Sequence, residues 1–148
     1  MNLVGIMQRT GSTTASVGTI TADATRPRRL QWYDIVVGSE ATPADNPFLW
    51  VFQRCTAAGT STAVTLQPLD PADAATEADC GQINTVEPTY TANKIMLSLP
   101  LNQRSSFRWI ATEGGRIITP ATASNGMGIA TPVGAAVLIT STIHCCEL

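Results

Sequence analysis

The sequence predicts an all-β fold: a jelly-roll-like β-sandwich of about eight strands joined by long loops. Three observations lead there. No window of a dozen residues carries an i, i+3, i+4, i+7 apolar pattern free of Gly, Pro or Thr clusters, so helices have no nucleus. Short stretches of period-2 alternation recur between Gly and Pro turns. The composition suits strands too. Thr (21), Ala (19) and Ser (9) take the place of charge, which stands at 14% against roughly 25% in an average domain.

At 148 residues the chain makes one core-bearing domain, divided here into an N-terminal arm with short strands (1–27) and a sandwich (28–148). In the arm, residues 2–8 form a short apolar segment and residues 16–22 alternate weakly. Residues 28–37 (RRLQWYDIVV) read as a strong strand with aromatic and β-branched side chains on both faces. Residues 47–56 (PFLWVFQRCT) put Phe48, Trp50 and Phe52 on one face, and residues 60–68, after the AAG turn, are expected to complete a hairpin with them. Residues 94–101 (KIMLSLPL) alternate most cleanly. Ile95, Leu97, Leu99 and Leu101 point one way, and Pro100 marks an edge or an end. Residues 105–112 are expected to turn at EGG into residues 116–119, a second hairpin. Residues 135–146 close the chain, with Val137, Ile139, Ile143 and Cys145 inward and Leu138, Thr140, Thr142 and His144 outward. Two long loops remain, residues 38–46 and the acidic residues 69–93, the latter with at most a turn or two of helix near residues 71–79.

Charge and cysteine usage narrow the function. The net charge is −2, so no basic field points to nucleic acid. No apolar run is long enough to cross a membrane as a helix, and residues 1–10 do not read as a secretion signal; synthesis in a cytosol is the expectation. Cys55, Cys80, Cys145 and Cys146 are then expected as free, mostly buried thiols. His144 beside two cysteines fits no zinc spacing, and the acidic loop fits no calcium pattern, so no cofactor or metal is expected. Catalysis would have to use His144, the single histidine, yet no nucleophile setting accompanies it, so the chain does not read as an enzyme.

The feature that stands out is an absence. Between Arg116 and Glu147 lie thirty positions without a formal charge, and Lys94 is the single lysine. Interfaces are depleted in Lys and Glu, so part of this segment is expected to face other protein. Arg26, Arg28 and Arg29, flanking Pro27, are expected to pair with carboxylates on a neighbouring chain.

The phrases GSEATPADNPFLW, LNQRSSFRW and PATASNGMG give residues 33–132 the style of a family. The stretch resembles small proteins from the structural gene regions of tailed phages, in particular β-sandwich capsid decoration (cement) proteins. The resemblance implies a virion protein on the capsid exterior that clamps neighbouring major capsid proteins. It also implies self-association, often as a trimer. No catalytic or binding residue carries over with it. In that setting residues 117–132, through Ile117, Ile118, Met127 and Ile129, would lie against a neighbour, and the N-terminal arm would reach the capsid surface. The alternative is a tail- or fibre-associated β-sandwich that binds host-surface carbohydrate; Trp32, Trp50 and Trp109 all lie in strand-like segments, which leaves few exposed platforms for a sugar.

Overall fold

A computed structural model describes all 148 residues as twelve strands with no helix. They are β1 (Asn2–Thr10), β2 (Gly18–Thr21), β3 (Leu30–Ser39), β4 (Pro47–Ala57), β5 (Thr60–Val64), β6 (Gln67–Pro68), β7 (Asp79–Val86), β8 (Thr89–Asn102), β9 (Phe107–Ile110), β10 (Ile117–Thr119), β11 (Gly126–Val133) and β12 (Leu138–Glu147). Two antiparallel sheets face each other. The first runs β10-β3-β12-β1-β6, with β9 also on β3; the second runs β5-β7-β2-β11-β4-β8.

Eight strand positions form the jelly roll. One sheet holds β1, β12, β3 and the β9/β10 position; the other holds β2, β11, β4 and β8. Successive strands cross between sheets from β1 to β4, and again from β8 to β12, which is a double Greek key. The core forms where inward side chains meet: Leu3, Met7, Trp32, Ile35, Phe52, Ile129 and Ile143 have no accessible surface. Each comes from a strand whose alternate residues are apolar, and the burial of this layer is the main favourable term in folding.

The structure corrects several sequence expectations. β4 and β5 do not form a hairpin; β4 pairs with β8 and β11, and β5 pairs with β7. The run β4–β5 instead lies antiparallel to β7–β8 as one long ribbon. It kinks at Gly59, whose φ of 73° suits glycine and whose Cβ position lies 2.2 Å from the Val86 carbonyl. The 25-residue acidic loop is accordingly shorter, because β7 and the start of β8 lie inside it. Its remainder, with β6 at its base, folds across so that β6 pairs with β1 and joins the ribbon to the first sheet.

β9 and β10 are not a hairpin either. Both run antiparallel to β3, Phe107–Ile110 against Asp34–Val37 and Ile117–Thr119 against Leu30–Trp32. They are one edge strand interrupted by the EGG turn, which bulges outward and rejoins its own line. Residues 1–27 are no appendage. β1 sits between β12 and β6, β2 sits between β7 and β11, and Leu3, Met7, Val17 and Ile20 belong to the core. Pro100 does lie on an edge, in β8.

The uncharged C-terminal stretch finds its reason here. β11 is flanked by β2 and β4, and β12 by β1 and β3. Their inward residues, Met127, Ile129, Ile139, Ile143 and Cys145 among them, fill the core, and most of residues 117–146 are buried or half-buried. The segment therefore faces mostly its own chain.

Candidate docking surfaces

The residues singled out in the sequence separate into two groups. Met127 and Ile129 are fully buried, pointing from β11 into the core, so they form no surface. The glycines beside them let neighbours approach the outer side of an interior strand, where the Tyr90 ring covers Gly128. Ile117 stands opposite the buried Trp32 and packs partly buried against the core, whereas Ile118, opposite Gln31, is exposed on the outer side; Arg26, Arg28 and Arg29 lie together in the loop before β3. The 22–29 loop and the 120–125 loop lie at the same end of the sandwich, fastened by backbone hydrogen bonds from the Ala22 amide to the Asn125 carbonyl (2.9 Å) and from Ser124 to Ala22 (3.0 Å).

This end carries both signs of charge. The acidic loop adjoins it, with Asp70, Asp73 and Glu77, and Arg26 pairs with Glu77 at 2.7 Å. The Glu77 amide donates to the Glu147 carboxylate at 3.1 Å, and the Met1 amino group donates to the Glu147 carbonyl at 2.9 Å. Arg28 lines a shallow cavity of about 280 Å³ with Met1, Ala74, Ala75, Glu77, Glu147 and Leu148. Arg28 and Arg29 are exposed and form no ion pair within the chain, although Glu77 and Glu147 line the same cavity as Arg28.

The second surface is the outer face of the first sheet. Its register sets the side chains in rows. Val4, His144, Asp34 and Ile110 form one; Ile6, Thr142, Val36 and Arg108 form the next. Tyr33 is the extra residue where the pairing slips between His144–Asp34 and Cys145–Trp32. This bulge coincides with the break between β9 and β10, and it brings Tyr33 and Asp34 to the same part of the face. The Arg108 guanidinium donates to both Asp34 oxygens, at 2.9 and 2.6 Å. That fork holds the Asp34 carboxyl below its usual range, the hydrogen bond from Arg108 outweighing desolvation. His144 Nδ1 lies 3.5 Å from Asp34 without a formed hydrogen bond, and the Arg116 guanidinium lies 5.8 Å from the centre of the Tyr33 ring.

Asp34 is occupied by a guanidinium, and His144 has no hydroxyl or thiol nucleophile bonded to it. Cys145 points inward and is fully buried, as the alternation required, and Cys146 is half-buried on the outer side. Burial pushes the Cys145 and Cys80 thiols up to about 12 and that of Cys55 to about 11. No three His, Cys, Asp or Glu side chains converge as metal ligands. Sequence reading placed His144 outward correctly but missed Ile6, Val36, Ile110 and the Asp34–Arg108 pair. Only the register across four strands sets them side by side. Compared with known proteins, the sequence matches no family, and no curated protein matches it.

Proposed function

We propose that the chain is a structural virion protein that binds the outer surface of a phage capsid and bridges neighbouring capsid subunits. It acts by contact rather than by turnover, its partners being the major capsid protein and further copies of itself. The sequence style supplies the capsid. The observation that carries the docking reading is Arg28 and Arg29: two exposed guanidiniums left unpaired at the one end of the molecule where Arg26 has found a carboxylate. Planar forks of this kind suit carboxylates on a neighbouring chain. Many copies, each making a modest contact, stabilise a shell by mass action and avidity.

Co-sedimentation of the purified chain with undecorated, expanded capsids tests the proposal. Saturable binding in many copies per particle, with a raised capsid melting temperature, is the expected outcome. Replacing both Arg28 and Arg29 with Glu should weaken binding about tenfold or more, roughly 1.4 kcal/mol. No association with any phage capsid would overturn it, and a glycan ligand found instead would transfer the protein to a tail-associated role.

A further inference from the structure

We propose that the outer face of the first sheet is covered by a second copy of this chain, in a two-fold, face-to-face dimer. The inference is independent of the capsid reading, since it concerns the purified chain alone. It starts from exposure. Ile6 is 56% exposed, Ile110 59% and Ile118 40%, all on one face with half-buried Val4 and Val36 and the hydroxyl of Thr142 between them. Isolated exposed apolar residues are ordinary, but several gathered on one sheet face, with polar groups interspersed, mark an association surface.

Charge then selects the occupant. The charged side chains on and around this face are Asp34 on β3, Arg108 on β9, Glu113 and Arg116 in the turn between β9 and β10, and Glu40, which accepts from Gln8 of β1. Two cations and three anions leave it close to neutral, and no lysine is present. A neutral face mates with its own copy without repulsion, whereas a basic or acidic face would demand a partner of opposite sign. Self-pairing also matches the symmetry rule that a two-fold contact uses one patch twice. The Asp34–Arg108 fork arrives already satisfied, so covering it leaves no bare charge; it fixes orientation rather than supplying affinity.

Size fits as well. β1, β12 and β3, of nine or ten residues each, and the seven paired residues of β9 and β10 give, at ~4.8 Å spacing, a footprint of roughly 550 Å² before side-chain relief, which side-chain relief brings toward the ~800 Å² per partner of a standard interface. Sheets stack face to face at about 10 Å with their twists aligned, so the geometry is a common one.

Sedimentation equilibrium across a hundredfold concentration range provides the test. The expected species is twice the 15.6 kDa chain mass, dissociating on dilution. Ile6→Glu and Ile110→Glu should raise the dissociation constant roughly 30-fold or more, because each drives a carboxylate into an apolar contact. Both sites face solvent in the single chain, so the circular dichroism spectrum should be unchanged. Ile95→Glu, equally exposed but in the other sheet, should dimerise like the unsubstituted chain. Methyl NMR signals of Val36 and Thr142 should shift on dilution. A strict monomer overturns the proposal. So does a dimer or trimer indifferent to Ile6→Glu and Ile110→Glu. Perturbation of the Val36 and Thr142 methyls by capsid protein alone would assign the face to that partner and reject the second copy.

Discussion

Asp34 shows how one buried carboxylate shapes the surface above the core. Its side chain is 8% exposed, while its partner Arg108 is 60% exposed. Because the folded carboxyl sits below its ordinary range, the interaction contributes stability above the unfolded value of about 3.9. That contribution is lost as the pH falls through the lower, folded value. Asp34→Asn should therefore cost about 1 to 2 kcal/mol near neutrality and progressively less toward pH 3, read from urea unfolding at a series of pH values. The thiols give a second residue-scale prediction. Three of the four are buried, so a disulfide reagent at pH 8 should titrate one thiol, Cys146, quickly in the native chain and four after unfolding. Removing Trp32, which is wholly buried, should cost roughly 3–5 kcal/mol in thermal or urea unfolding when replaced by alanine.

Local pattern made individual strands readable, but it did not reveal their partners. The alternation of residues 138–146 gave the right inward and outward sets, since period 2 depends on the backbone alone. Phe48, Trp50 and Phe52 were legible for the same reason. The two expected hairpins failed because each short turn leads elsewhere: AAG into a ribbon kink, EGG into a bulge along one edge. β7 was missed because DCGQINTV mixes Gly and Asn into its strand residues, and Ile83 adopts a φ of 56°. Ile95 is exposed even though Leu97 and Leu99 alternate as expected, because the β4–β8 pairing slips between Phe52 and Gln53. The face described above was invisible for a deeper reason: it is assembled from residues 4 to 144, and no local window contains it. At this scale Gly59→Ala should cost about 2 kcal/mol, combining positive φ with the Val86 carbonyl contact. Hydrogen exchange should show that loss as faster opening of residues 60–86.

The whole molecule is ordered from its ends inward. β1 pairs with β12 along its full length, from Asn2 opposite Cys146 to Thr10 opposite Leu138. Fold class was the most legible property at this scale, because composition and missing helical period report on it directly. Connectivity was not, because adjacency between residues 2 and 146 leaves no mark on either sequence neighbourhood. Refolding should be slow, in milliseconds to seconds, as expected where most pairings are distant; stopped-flow Trp fluorescence would measure it.

The placement of β11 and β12 has a consequence for synthesis. Each fills the gap inside its sheet, and both leave the ribosome after the other ten strands. Until then β3 stands apart from β1, and β2 apart from β4, with bare backbone edges awaiting them. The nascent chain is thus a keyless arch, prone to join strangers at those edges. The stretch that lacks charge is also the one whose delay leaves β1, β2, β3 and β4 each with an unguarded edge.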